Sequence, residues 1–289
     1  MNSVPRRIGT AFGAVLAVLA SVGPASMGTA QAQQKIRVAA DVGYAPHVML
    51  KPTGGFEGYN VDLAQAIAKK LGYELEIIDQ QWSGIFAGLN AKRYAFIISP
   101  TTITEERARN MLFTEPYLDN DYGFLIKKGA PQVAGLDDLK SKVIAVNKGN
   151  LYDKWASERE GEYRWSVLRF DKNADAIAAV IGGRATANLS GSTVVGYVAK
   201  QNPMIVPSTY AFVTGQGMGL AFRTDDTEMR NKVELVLECL KKDGTVARIH
   251  EQWTGTPPRK DGSAHVVHSG FGAEGFPGYD PAPHENLCG

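Results

Sequence analysis

The stretch SPTTITEERARNMLFTEPY, residues 99–117, decides how the rest of the chain is read. It sets three hydroxyls, Thr101, Thr102 and Thr104, and one arginine, Arg107, between an apolar run and the aromatic-bearing segment at residues 113–117. A helix start carrying hydroxyls and free backbone N–H groups attracts anions. An arginine one turn further on can grip a carboxylate through two parallel hydrogen bonds. The pattern predicts a pocket for a small carboxylate. The same residues also fit a plainer arrangement, in which Thr102 and Thr104 only cap a helix and Arg107 lies on its surface among Glu105, Glu106 and Arg109.

Outward from this stretch, residues 35–40 (KIRVAA) alternate as a strand does. Residues 61–71 (VDLAQAIAKKL) place apolar side chains at helical spacing, and Gly72 stands where a helix C-cap belongs. Residues 73–78 read as a strand, 85–89 as a helix and 94–99 as a buried strand. A second series follows KKGAP at 127–131: a short helix at 136–139, a strand at 143–147 and a helix at 151–160. A strand at 165–170, a helix at 174–181 and a strand at 187–190 continue it. Residues 218–222 read as a strand, 227–242 as an amphipathic helix ended by Gly244, and 246–253 as a further helix. Strands alternating with helices imply an α/β fold with much parallel pairing.

At 289 residues, with 44% hydrophobic and 21% charged side chains, the chain has ordinary globular usage and enough length for two modest domains. Residues 1–32 read as a signal peptide: Arg6-Arg7, an apolar run at 8–22, and the small-residue site Ala30-Gln31-Ala32. A membrane anchor is disfavoured, because the run is short and broken by Gly13 and Ser21. Arg6-Arg7 lacks the fuller context of a twin-arginine signal, which points to the general export route, and no cysteine lies near the cleavage site to take a lipid. Removing the signal takes away two arginines and no acid, so the net charge moves from +1 to −1 (1 − 2). Nothing there suggests nucleic acid or an anionic membrane as a partner.

Cys239 and Cys288 are the only cysteines, and an exported chain with two thiols most simply joins them in a disulfide. They lack the four-ligand spacing of a metal site, even with His265, His268 and His284 nearby. Phosphate-loop and dinucleotide fingerprints are absent, as are Ser-His-Asp, Cys-His and H-E-x-x-H arrangements, so no cofactor and no metal is expected.

Ile103-Thr104, Arg107 and Phe113-Thr114-Glu115-Pro116-Tyr117 resemble the I-T-x-x-R…F-(S/T)-x-P-Y signature of periplasmic amino-acid-binding proteins, the family 3 solute-binding components of ABC importers. Gly58-Tyr59-Asn60-Val61-Asp62-Leu63-Ala64 is similar to that family's G-(F/Y)-x-x-D-L-A, and Gln81-Trp82-Ser83-Gly84-Ile85-Phe86 to its W-x-x-(I/L)-(I/F) turn. The resemblance covers roughly residues 35–256. It implies a two-lobe periplasmic-binding-protein fold of type II kind, with two hinge crossings near 124–127 and 217–220. Lobe 1 is then 33–127 plus 218–256 and lobe 2 is 128–217. Residues 257–289, rich in turns, extend beyond the family core; against a free tail, Cys288 would pin them, and reduction would mainly loosen the tail.

The resemblance implies capture of an amino acid or amino-acid-like carboxylate in the periplasm by a freely diffusing monomer, and delivery to an ABC permease in the inner membrane. A sensor role beside a receptor is the alternative. A periplasmic dehydratase of the same fold is another; it would need a poised acid, for which His47 is a candidate beside ordinary ligand contact.

Carried over position by position, Tyr44 and Trp82 match the aromatics that sandwich the ligand, each with core packing as its alternative. Arg107 and Thr102, with Thr101 beside it, match the carboxylate clamp, and Pro100 keeps the backbone carbonyl that accepts from an ammonium. Gly149-Asn150 match the lobe 2 turn whose N–H groups meet the same carboxylate. Asp41 matches a position facing the ligand's side chain, or is a solvated strand end. The family's ammonium-holding aspartate is replaced by Gly191, followed by Ser192. An ammonium without a counter-charge is costly to bury. Asp41, Asp119 or Asp121 supplies the missing charge, Ser192 and carbonyls suffice, or the ligand lacks an α-ammonium; the last is favoured.

Overall fold

β1 (Lys35–Ala40), two short paired strands β2 (Met49–Leu50) and β3 (Phe56–Glu57), and helix α1 (Tyr59–Leu71) open the folded part of the chain. α1 buries Leu63, Ala64, Ile67 and Ala68, one stripe at helical spacing, and stops at Gly72, whose φ of 78° is left-handed. β4 (Glu74–Asp79), α2 (Trp82–Asn90), β5 (Phe96–Thr102), the single turn α3 (Glu105–Ala108), β6 (Leu112–Phe113) and β7 (Leu118–Asp119) follow. This computed structural model describes residues 34–285 and 288, together with 1–3, 5 and 9. The chain divides into Met1–Ala32 and Gln33–Gly289. The apolar run and cleavage site of the expected signal peptide lie outside the described residues. Among those described, no helix is long and apolar enough to cross a membrane.

Next come β8 (Tyr122–Lys127), a 3₁₀ turn at Leu136–Leu139, β9 (Val143–Asn147), α4 (Leu151–Ser157) and α5 (Glu160–Tyr163). β10 (Ser166–Phe170), α6 (Asn173–Ile181), β11 (Ala187–Gly191), α7 (Ser192–Gln201) and β12 (Ile205–Phe212) complete this half. The chain then returns through β13 (Gly217–Phe222) to α8 (Thr227–Lys242) and α9 (Thr245–Thr254).

Two main sheets result. One runs β4-β1-β5-β13-β6, with β7 also on β13; the other, five-stranded, runs β10-β9-β11-β8-β12. In each, one strand runs against the rest, β13 between β5 and β6 in one and β8 between β11 and β12 in the other, and the pairs β4-β1-β5 and β10-β9-β11 are parallel. Alternate residues go to opposite faces: Val38, Ala40, Phe96 and Ile98 join one apolar cluster with α1 and α8, while Ala39 and Ile97 join another with α2. The second sheet divides likewise, Phe124, Ile126, Ile144 and Val146 against Leu125 and Ala145. Both faces of both sheets are therefore covered, as parallel pairing demands.

The crossings lie a few residues before the places expected. Phe124 pairs with Leu189 inside the second sheet, and Met218 with Thr102 inside the first. The chain passes between sheets at 120–121 and 213–216 instead. There the two passages bond side by side: Asn120 N–H donates to Gln216 O at 2.8 Å, Thr214 N–H to Asp121 Oδ1 at 3.3 Å, and the Thr214 hydroxyl to Asn120 O.

Cys239 and Cys288 form the expected disulfide. The segment between them does more than hang from it. Val266 O accepts from Lys241 Nζ at 2.8 Å, and Gly278 O accepts from Arg230 Nη1 at 3.1 Å. His268 N–H donates to Glu115 Oε2 at 2.7 Å, Gly272 N–H to Glu234 Oε1 at 2.7 Å, and His284 Nε2 lies 2.6 Å from Glu238 Oε1. All five charged partners are buried. The segment is thus tied to the first half by more than its disulfide, because it answers charges buried there.

Candidate ligand cleft

Between the two sheets lies a narrow cleft lined by Asp41, Tyr44, Trp82, Ser99, Pro100, Thr102, Arg107, Asn147, Asn150, Leu151, Tyr152 and Met218. The first sheet and its loops bring Asp41 at the end of β1, Trp82 at the start of α2, Thr102 at the end of β5 and Met218 in β13. The second brings Asn147 from the end of β9 and Asn150, Leu151 and Tyr152 at the start of α4. Such strand ends are where open α/β sheets form clefts.

Arg107 is held rather than free. Thr104 caps α3 by accepting from Arg107 N–H at 3.3 Å, and Arg107 Nη1 donates back to Thr102 O at 2.9 Å. Its guanidinium stands 5.4 Å from the Trp82 ring centre and 5.5 Å from that of Phe86. Part of the residue reaches solvent, yet burial still pushes the guanidinium down to about 10. No carboxylate among the described residues lies within 4.0 Å of it, by contrast with the paired arginines Arg169, Arg223 and Arg259.

Opposite, the polar wall is neutral. Tyr44 reaches across so that its hydroxyl donates to the Tyr152 hydroxyl at 3.4 Å and lies 3.5 Å from Ser190 Oγ. Tyr152 donates to Asn120 Oδ1 and Asn120 Nδ2 donates to Thr102 Oγ1, each at 2.9 Å. Burial raises the pKa of both tyrosines above the ordinary value, so they act as hydroxyls.

Seven of the eleven positions singled out from sequence line this cavity: Asp41, Tyr44, Trp82, Pro100, Thr102, Arg107 and Asn150. Four do not. Thr101 is fully buried and turns its hydroxyl back onto Ser99 O at 2.9 Å. The Gly149 N–H is committed to Asp153 Oδ2 at 2.9 Å, while its carbonyl accepts from Trp82 Nε1 at 3.2 Å across the cleft. A side chain on Gly191 would start 2.7 Å from the Tyr152 hydroxyl, so that ring already fills the space. Ser192 faces a separate cavity with Asp119, Asp121, His250 and Arg259. Asp119 is held there by Arg259 at 3.0 Å and Ser263 Oγ at 2.7 Å, which removes both Asp119 and Asp121 as sources of the missing charge.

That leaves Asp41, which is 3% exposed, and it is taken. Lys172, just before α6, places Nζ 2.8 Å from Asp41 Oδ1 and 2.8 Å from Asp79 Oδ1. Burial pushes the Asp41 carboxyl up to about 6 against the pull of Lys172. Burial also works against the lysine's charge, but hydrogen bonds to the two carboxylates outweigh it and raise its pKa. His47 is committed too: Nδ1 to Asn60 Oδ1 and Nε2 to Thr193 Oγ1, each 2.9 Å, with burial pushing it down to about 4. Lys172, Tyr152 and Asn147 went unread in the sequence; the only signal was the aromatic after Asn150-Leu151 and a lysine at a strand exit.

Two α/β halves joined by paired crossings, with a polar cleft between them, define a bilobed binding protein. The chain belongs to the bacterial extracellular solute-binding proteins, family 3, whose model matches residues 36–256. It is 29% identical over 229 residues to the putative ABC transporter arginine-binding protein 2 of Escherichia coli K12, covering 78% of this chain and 93% of that one. It is 29% identical to the L-cystine-binding protein of the same strain, over 75% of this chain and 81% of the relative. A solved ancestral arginine-binding protein bound to arginine superposes with a TM-score of 0.72 at 30% identity, over 76% of this chain and 98% of that one.

Proposed function

We propose that this chain is the solute-binding component of an ABC-type importer in the periplasm, and that its cleft holds a small carboxylate. The observation that carries the reading is Arg107. It is a partly buried guanidinium, oriented by Thr102 O and two aromatic rings, with no carboxylate within 4.0 Å among the described residues. A ligand carboxylate would meet two or more of its free donors and the Thr102 hydroxyl. The α4 start at Asn150 and Leu151 would close over the same group from the other lobe.

The far wall favours a ligand without a free α-ammonium. Tyr152 occupies the space over Gly191, and the groups beside it are neutral hydroxyls and an amide. A binding role is favoured over catalysis: His47 has both ring nitrogens engaged, and Asp41 is tied to Lys172. Export after signal cleavage fits the disulfide between Cys239 and Cys288.

The test is a thermal-shift screen of the mature protein against amino acids, opines, betaines and plain organic acids, followed by calorimetric titration of the best hit. Arg107→Ala should cost about 3 kcal/mol of binding, roughly 150-fold, with the unfolding midpoint of the free protein little changed. Binding within a few-fold of the wild type would overturn the carboxylate reading.

A further inference from the structure

Asp41 has the placement of a cation-binding group. It directly follows β1, its N–H donates to Ser99 Oγ at 2.8 Å, and its carboxylate shares the cavity with the rings of Tyr44 and Trp82. A buried carboxylate between aromatic faces invites a positive charge from whatever enters. Here the protein provides that charge itself. Lys172 belongs to the other lobe, 131 positions further along the chain, and its ammonium lies 2.8 Å from Asp41 and 2.8 Å from Asp79. Asp79 is fixed in turn by Val42 N–H at 3.2 Å. An ammonium has three donors, and two of them are accounted for by these carboxylates. Its side chain remains only 23% exposed.

We infer that Lys172 is a specificity-determining residue: it fills the cationic place at Asp41 from the opposite lobe and so restricts the cleft to ligands without a second positive charge. The inference rests on the cleft being the carboxylate site proposed above. A guanidinium or ammonium on a ligand's side chain would have to displace Lys172 or crowd a second cation against one carboxylate, and both oppose lobe closure. A neutral side chain of the same length meets no such opposition. Lys172 thus acts on what is excluded, while Arg107 acts on what is held.

The des-amino forms of arginine and citrulline, 5-guanidinopentanoate and 5-ureidopentanoate (arginine and citrulline for short), separate the two, since neither carries an α-ammonium and they differ in the charge of the terminal group. Both are titrated calorimetrically into wild type, Lys172→Ala, Lys172→Arg and Arg107→Ala. Wild type should prefer citrulline. Lys172→Ala should shift the arginine-to-citrulline affinity ratio towards arginine by roughly tenfold or more, and Lys172→Arg should keep the wild-type preference. A wild type that holds arginine as tightly as citrulline overturns the inference. So does a Lys172→Ala protein with an unchanged ratio, or one that binds no arginine although Asp41 now lacks a partner. Arg107→Ala judges the underlying reading separately: unweakened citrulline binding there would refute the carboxylate anchor while the ratio still decides the role of Lys172.

Discussion

Lys241→Met removes a cation whose surroundings set the expected cost. The lysine is 2% exposed, and Nζ donates to Pro116 O at 2.7 Å and Val266 O at 2.8 Å. It also lies 2.7 Å from Glu115 Oε1. That contact is off the hydrogen-bond line, so Oε1 is held by charge rather than by an aligned bond. Burial pushes the Lys241 ammonium down, and the neighbouring carboxylates resist this. Stripping one member from a buried pair costs about 3–5 kcal/mol, and each orphaned carbonyl adds about 1 kcal/mol. The apolar methionine recovers about 2 kcal/mol. The net expectation is a loss of about 4 kcal/mol, a large part of the 5–15 kcal/mol typical of a whole domain. Urea unfolding followed by tryptophan fluorescence measures it. Adding Glu115→Gln, which keeps an acceptor for His268 N–H, should restore about 2 kcal/mol by removing the stranded charge. A loss below about 1 kcal/mol, or strictly additive costs in the double variant, would refute this account of the buried pair.

Three further outcomes follow from features of the cleft and the extension. Gly191→Asp should weaken binding of the natural ligand, because its side chain would begin 2.7 Å from the Tyr152 hydroxyl; tighter binding of a standard α-amino acid in titration would contradict this. Asp41, raised from 3.8 to about 6 by burial, contributes stability that is full below pH 4 and lost as pH rises through 6. Its share is about 3 kcal/mol, so Asp41→Asn should flatten the wild-type fall in unfolding free energy between pH 4 and pH 7, and parallel profiles would exclude it. Cys288→Ser opens a closure spanning 49 positions and should lower stability by about 4 kcal/mol in chemical denaturation, whereas an unchanged midpoint would show that the contacts of residues 266–284 suffice alone.

The long periodic segments were legible because local pattern decides them: 227–242 was read as a helix and α8 spans Thr227–Lys242. Arg107 was legible because its orienting partners, Thr102 and Thr104, lie within five positions of it. The crossings were misplaced because the apolar run at 122–127 looks alike in either sheet; pairing with β11 assigns it to the second. Gly191 was read as a lost acid, but its replacement by Tyr152, reaching from a different element, is a tertiary fact. The same holds for Lys172 and Asp41, which no spacing rule connects across 131 positions.

Arg230, Glu234 and Lys241 bond Phe113 O, Glu115 N–H and Pro116 O early in the chain, and groups at residues 266–278, after α8, complete their shells. β13, which joins β5 to β6, also comes late. At synthesis rates of about 5–20 residues per second, the earlier strands emerge well before the segments that complete their sheet and neutralise its buried charges. Until then the first half lacks β13 and the lysine that answers Glu115, and its native packing is disfavoured. The order of the elements therefore delays folding of the first lobe until nearly all of the chain has left the ribosome. If the chain is exported unfolded, in keeping with the function proposed above, its own topology supplies that interval.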